Sequence, residues 1–385
     1  MTSEIRLRYG DADLAATIPG RDLGTIAVRD VPPVSDAGDS VRRAIERPVG
    51  LERGLTERVG ASDWVTILVS DSFRQTRADL MVPPLLSSLS ARGVEDSRVR
   101  ILFSTGTHRA PTVEEQRTIL GGATFERYRS TLTSHDAYDD DAHVRLGTTS
   151  RGTPVEVNRL AVECDRLFAT GTAVLHYFGG FGGGRKSVVP GVASVRTIAR
   201  NHVLNLHPTE DTLDPNVRIG RLDGNPVAED MLEASRMVSM EGIINTVLTD
   251  AGEIAGVFAG ELEAAHAAAC ELSRRLYLVP IRERADLVIA ASPHTKNYVQ
   301  THKALFNAWL AMKPGGRIVL AAPCSEGLGG DQFAKWLDVG DPGRIISDLR
   351  RRSDINGQTA LSTKQKAPNT QFVTELSEAE VRKLG

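Results

Sequence analysis

Residues His176 to Ser187 read His-Tyr-Phe-Gly-Gly-Phe-Gly-Gly-Gly-Arg-Lys-Ser, which sets five glycines between an imidazole and an amine, and Asn201-His202 follows a short way on. Glycine permits positive φ and lets bare backbone approach a ligand, at an entropic cost, so five in one loop ask for more than a packing role. Successive backbone N–H groups ahead of a helix form an anion cradle, and a phosphate loop is the first reading. It fails in detail, because that pattern needs Lys directly after Gly and here Arg185 stands between Gly184 and Lys186. The dinucleotide fingerprint, with glycines at i, i+2 and i+5, fails at every register across 179–184. A P-loop-like nucleotide hydrolase stays as a rival, beside the plain alternative of a flexible hinge loop.

Three more candidates sit where apolar runs of strand length end. Trp64 to Val69 runs into Ser70-Asp71-Ser72-Phe73-Arg74, Val99 to Phe103 into Ser104-Thr105-Gly106-Thr107-His108, and Arg166 to Ala169 leads through Thr170-Gly171-Thr172 to His176. Ala285 to Ala290 and Arg317 to Ala321 are two further runs of the same kind. Near-continuous apolar strands separated by helical stretches are covered on both faces. Helices are expected at Val41 to Ile45, Leu51 to Val59, Asp79 to Arg92, Thr112 to Leu120, Glu261 to Leu276 and Thr301 to Met312, the last stopping at Pro314-Gly315-Gly316. An edge hairpin is expected within residues 1–30, a polar surface segment over 353–369, and a last strand at Gln371 to Val373. The pattern predicts an α/β fold of parallel or mixed sheets in two domains, 1–276 and a smaller 277–385 whose tail has the option of returning to the first. In open sheets of this kind ligands bind beyond the carboxyl ends of the strands, where Asp71, Arg74, His108 and His176 all fall.

An arginine fork at such a place pairs bidentately with a carboxylate and fixes a substrate's orientation, although Arg77 is a rival for the role and a solvated loop arginine is the ordinary alternative. For His108, capping the Thr-Gly-Thr turn is the ordinary alternative. His135, His207 and His294 have no spacing that separates them from surface histidines, with His135-Asp136 a candidate only for the site's surroundings.

The loop at 176–187, together with Pro190-Gly191-Val192-Ala193, Asn201-His202, the segment Gly147 to Val155 and Asp223-Gly224-Asn225-Pro226, resembles the signature of the lactate racemase family, whose members carry a nickel-pincer nucleotide. The resemblance covers most of the chain. It implies a covalent thioamide between the cofactor and Lys186, nickel ligation by His202, and cofactor contacts at Gly182, Gly183, Gly184 and Asp71. It assigns His108 and His176 as paired acid/base residues, one for each face of the inverted carbon. Arg74 matches the family's carboxylate-binding arginine, although Phe73 and Gln75 depart from the usual Asp-x-Thr-Arg-Pro. Gln300 and Lys303 match its Gln-x-x-Lys at a helix start, where i and i+3 share one face; His302 between them is taken as solvated. The implied activity is racemisation or epimerisation at C2 of a 2-hydroxy acid by reversible hydride transfer, in the cleft between two α/β domains. A sugar-acid (aldonate) 2-epimerase is the alternative within the family, as is a member that binds the nucleotide but has lost catalysis. Cofactor-biosynthesis proteins are the implied partners.

Composition agrees with a globular enzyme. The chain has 385 residues, 41% apolar and 25% charged, enough for two proper cores. A net charge of −3 gives no reason to expect nucleic acid or an anionic membrane as partner. No apolar run approaches the roughly 18 residues of a membrane span, and the polar start Met1-Thr2-Ser3-Glu4 is unlike a signal peptide, so a cytoplasmic protein is expected. Cys164, Cys270 and Cys324 lie far apart and read as small buried apolar residues.

Overall fold

The computed structural model describes residues 2–385. An N-terminal antiparallel hairpin pairs β1 (Thr2–Tyr9) with β2 (Ala12–Pro19). β3 (Val65–Ser70), β4 (Val99–Ser104) and β5 (Leu132–Ser134) follow, then the hairpin β6 (His143–Thr148) and β7 (Pro154–Asn158), and β8 (Arg166–Thr172). A two-residue pair, β9 (Leu175–His176) and β10 (Gly180–Phe181), precedes β11 (Met240–Leu248) and β12 (Ile254–Gly260). The chain closes with β13 (Ala285–Ala291), β14 (Met312–Ala321) and β15 (Thr370–Val373).

One compact unit comprises Val28–Asn201 and Asn216–Leu278. Its six-stranded sheet has the order β12-β11-β8-β3-β4-β5, all parallel except the edge strand β12. The chain moves outward from β3 through β4 to β5, then returns to the other side of β3 with β8 and β11. The order therefore switches between β3 and β8, which is where such sheets open a crevice for ligands. Ile67, Val69, Ile101, Phe103 and Phe168 on one face pack against Met81, Leu85 and Leu89 of the helix Ala78–Ala91. That helix and Val113–Leu120 lie where the sequence places them, the second with a Thr112/Glu115 capping box.

The other unit comprises Met1–Ala27, His202–Pro215 and Val279–Gly385, around the parallel sheet β13-β14-β15. Its main part begins two residues past the expected boundary, but it also takes in the N-terminal hairpin and the segment after Asn201. Arg21 pairs with Glu283, and Arg350 donates to Asp211 and to the carbonyls of His207 and Glu210, so charge pairs tie both segments into this unit. The tail stays here as well, with β15 beside β14.

Three local expectations are corrected. Residues 51–59 form turns rather than a helix, because Glu57 and Asp63 carboxylates capture the N–H groups of Gly54 and Gly60. Pro314-Gly315-Gly316 does not end the helix Tyr298–Ala311 but lies inside β14, at an irregularity where five steps along β14 match two along β13. The polar stretch expected at the surface is the helix Gly357–Lys366, in which Gln358, Thr359, Ser362, Thr363 and Lys366 are all buried. Several of its polar atoms are satisfied locally: the Lys366 amine donates to Ser362 Oγ at 2.6 Å, and that hydroxyl meets His302 Nε2 at 2.9 Å, while Gln358 Nε2 has no partner among the described residues. Burial lowers the Lys366 amine to about 8.

Candidate active site

Asp71 and His108 leave the ends of adjacent parallel strands, β3 and β4, and meet at 2.6 Å between Oδ2 and Nδ1. Asp71 is 2% exposed, and its other oxygen accepts from the Phe73 N–H at 3.1 Å, which closes the loop. The turn before His108 is held by a hydrogen bond from Gly106 N to Gly191 O at 2.9 Å. Gly106 has φ of +55°, and a Cβ there would stand 3.4 Å from the Pro190 carbonyl oxygen, so a side chain would press on that seat. Asp71, expected among the cofactor contacts, therefore has both carboxylate oxygens engaged in holding His108 and its own loop.

Arg74 and Arg77 are now distinguishable. Arg77 is spent on Asp79, with Nε and Nη2 each 3.1 Å from a carboxylate oxygen. Arg74 donates to the Phe73 carbonyl, and among the described residues no carboxylate lies within ion-pair distance of it. The half-buried guanidinium of Arg74 is thus the one with capacity for an external anion.

The glycine loop follows β8, the strand on the other side of the switch point. Six of its N–H groups are committed internally: those of Phe178 and Gly179 donate to His176 Nδ1, Phe181 to Gly179 O, Gly182 to Val174 O, Gly184 to Asn245 Oδ1 and Lys186 to Gly183 O. The glycines serve close approach instead. A Cβ on Gly180 would fall 2.0 Å from Arg221 O, one on Gly183 2.7 Å from Asn245 Oδ1, and one on Gly184 2.6 Å from the His266 ring. The loop is thus a tightly folded pedestal for His176 and Lys186 more than an open row of N–H donors, which weighs against the anion cradle suggested by the sequence. The Lys186 amine lies 5.4 Å from the Phe178 ring centroid, and the His176 ring meets the same ring edge-on at 4.5 Å.

The Asp-Gly-Asn-Pro motif supports this pedestal. Asn225 caps the helix Pro226–Arg236 through its side-chain oxygen while its amide donates to Phe178 O at 2.8 Å. Asp230, fully buried, accepts from Thr149, Thr153 and Asn201, which joins the β6–β7 loop to the residue before His202. His202 is half-buried at the end of the helix Val195–Val203. Gln300 and Lys303 do share a helix face, with the amine donating to Gln300 Oε1 at 2.6 Å. His302 is fully buried rather than solvated, and burial pushes it down to about 3. His135 is also buried, with both ring nitrogens engaged by Ala193 O and Asn158 Nδ2, and is held down to about 4 by burial. His294 is exposed, and the half-buried His207 caps its own turn by accepting from Glu210 N.

Sequence reasoning missed Arg185, His266 and Asp230. Arg185 was legible only as an interruption of the phosphate-loop pattern, while His266 and Asp230 lie on helices with no motif to mark them. Among the described residues no three His, Cys, Asp or Glu side chains converge as a metal site. An amine on a glycine pedestal and the imidazole nitrogens of this chain are donors that fit a tethered organic group carrying a borderline metal such as nickel.

The Asp71–His108 pair, Arg74 and the loop bearing His176 and Lys186 all follow the carboxyl ends of neighbouring strands on the two sides of the switch point, the place of a ligand site in an α/β enzyme. Comparison with known proteins supplies the family. Residues 9–213 match the family model described as the lactate racemase N-terminal domain. A lactate racemase of Thermoanaerobacterium thermosaccharolyticum is 32% identical over 363 residues, 91% of this chain and 82% of that protein, and a lactate racemase of Lactiplantibacillus plantarum is 34% identical over 80% of this chain and 71% of that protein. The lactate racemase apoprotein of the first organism superposes with a TM-score of 0.84 at 29% identity, covering 99% of this chain and 91% of that one. A Thermotoga maritima protein shares the fold, with a TM-score of 0.72 at 22% identity. The chain belongs to the lactate racemase family and is an isomerase. No helix among the described residues is long and apolar enough to cross a membrane.

Proposed function

We propose that this enzyme inverts C2 of a 2-hydroxy acid with the aid of a nickel-pincer nucleotide tethered to Lys186 and ligated through nickel by His202. The observation that carries the reading is the Asp71–His108 dyad at 2.6 Å, close in sequence and sheet position to Arg74, which pairs with no carboxylate among the described residues. The bound cofactor supplies a reversible hydride acceptor, chemistry that no side chain offers. Arg74 binds the substrate carboxylate as a fork, which orients the hydroxyl-bearing carbon. Gln300 and Lys303 hold the substrate's remaining oxygens. His108 and His176 exchange the hydroxyl proton, and Asp71 stabilises the imidazolium that forms on His108. The loop glycines 182–184 bring the backbone close around Lys186, so the amine is presented from a fixed base. Cofactor-biosynthesis proteins are the partners the tether calls for.

A panel of chiral 2-hydroxy acids and aldonates tests the reading, using protein co-expressed with the cofactor pathway. Conversion of one enantiomer or epimer into the other, measured by chiral chromatography, is the expected result. Magnesium-dependent nucleotide hydrolysis without inversion of any acid contradicts it.

A further inference from the structure

The two histidines differ in what holds their Nδ1 atoms. At His176 the partners are the N–H groups of Phe178 and Gly179, at 3.4 and 3.1 Å. A backbone N–H only donates, so Nδ1 of His176 is an acceptor and its proton sits on Nε2. At His108 the partner is a carboxylate oxygen at 2.6 Å, which only accepts, so the proton sits on Nδ1 and Nε2 carries the lone pair. Behind His176 lies Arg185, 3% exposed, whose Nη2 donates to Gly179 O at 2.6 Å and whose own carbonyl accepts from Ser235 Oγ. Nη1 faces His266 Nδ1 at 3.4 Å, His266 Nε2 is bonded to Gly182 O at 2.9 Å, and Nε has no partner. Among the described residues no carboxylate pairs with this cation, although burying one is costly. Its 2.6 Å bond fixes Gly179, whose N–H addresses His176.

We infer that Arg185 is a positioning residue which, through Gly179, presets His176 as an Nε2–H donor, the opposite of the His108 base. The inference rests on the racemase reading for its catalytic meaning. The two acid/base residues then start inequivalent. His108 Nε2 takes the substrate hydroxyl proton and becomes an imidazolium against Asp71, and it can return that proton to the product oxygen. His176 donates a hydrogen bond from Nε2 while neutral, as a catalytic imidazole can. For Nε2 of His176 to accept a proton, its present one must leave and Nδ1 must be protonated, which sets an N–H against the two backbone N–H groups.

The test is the imidazole nitrogen spectrum of the full chain labelled with nitrogen-15 histidine, with His108→Gln and His176→Gln used for assignment. The expected result is a single tautomer at each ring, Nε2–H at His176 and Nδ1–H at His108. Arg185→Gln should move His176 to an average of the two tautomers and leave His108 unchanged, and Arg185→Lys, which restores a donor to Gly179 O, should return it toward the single form. A wild-type His176 protonated on Nδ1 overturns the inference, as does an unaltered His176 signal in Arg185→Gln. Should Arg185→Gln fail to fold, Arg185→Met carries the comparison: it keeps an apolar side chain of similar length in the buried position but removes the donor to Gly179 O, and an unaltered His176 signal there overturns the role of Arg185. The spectrum needs no turnover, so a protein that inverts no hydroxy acid yet shows the expected tautomers would sink the racemase reading and leave this one standing.

Discussion

His108 and His176 are positioned by opposite means on two sides of one switch point. His108 is oriented by a buried charge, the Asp71 carboxylate, at the end of a regular strand. His176 is oriented by neutral backbone, two N–H groups of a loop whose shape depends on glycines with no room for a Cβ. A charge-held imidazole is stabilised when it gains a proton, whereas one held by N–H donors is stabilised when its Nδ1 stays bare. The same side chain is thus given two characters by its surroundings. The loop side also bears Lys186, the proposed tether, so its close packing would serve two functions while the strand side serves one.

Removing the tether should break the comparison most severely. Lys186→Ala is expected to abolish turnover and, in intact-mass measurement after co-expression with the cofactor pathway, to lack the nucleotide-sized adduct of the wild type; an adduct on Arg185 or a cysteine instead would refute the tether. On the strand side, Asp71→Asn places an amide donor against Nδ1 and forces the proton of His108 onto Nε2. We expect a loss of turnover on the order of 10²- to 10⁴-fold with the adduct retained, and equal activity would show that His108 does not need its carboxylate. Arg74→Lys exchanges a fork for a point charge and should lower kcat/KM about 10- to 100-fold, chiefly through KM, whereas Arg77→Lys should not. A matching loss in the Arg77 variant would reverse the assignment of the two arginines.

The smallest effect concerns stability. Burial holds His135 at about 4 and His266 and His302 at about 3, against an ordinary 6.5. A depressed histidine takes its proton in the unfolded chain before the folded one, so this stability is complete above roughly pH 6.5 and is lost as pH falls toward 4. The melting temperature should therefore drop by several degrees between about pH 7 and pH 5, and His266→Gln should flatten that slope. An unchanged slope in the variant would mean that His266 titrates normally.

These contrasts explain what the sequence discloses. Strands covered on both faces are unbroken apolar runs, so the sheet and the residues at its carboxyl ends were legible, as was the helix Val113–Leu120, which starts at a Thr112 cap and stops at Gly121. The helix Gly357–Lys366 was not, because Lys366, Ser362 and His302 find partners in one another when buried, and composition counts polarity without seeing partners. The glycine loop announced itself, but glycine count does not say whether its N–H groups face a ligand or the loop's own residues. Arg185 looked like a defect in a motif because the residue it restrains, Gly179, is reached only through the fold.

The central claim is that C2 is inverted by removal and return of a hydride while the histidines handle only the hydroxyl proton. Racemisation of substrate deuterated at C2, run in ordinary water and followed by mass spectrometry and chiral separation, tests it most directly. Retention of the deuterium through inversion, with a primary isotope effect where hydride transfer limits the rate, is the predicted result. Loss of the label to solvent at the rate of inversion would show that a proton is removed from carbon and would contradict the account.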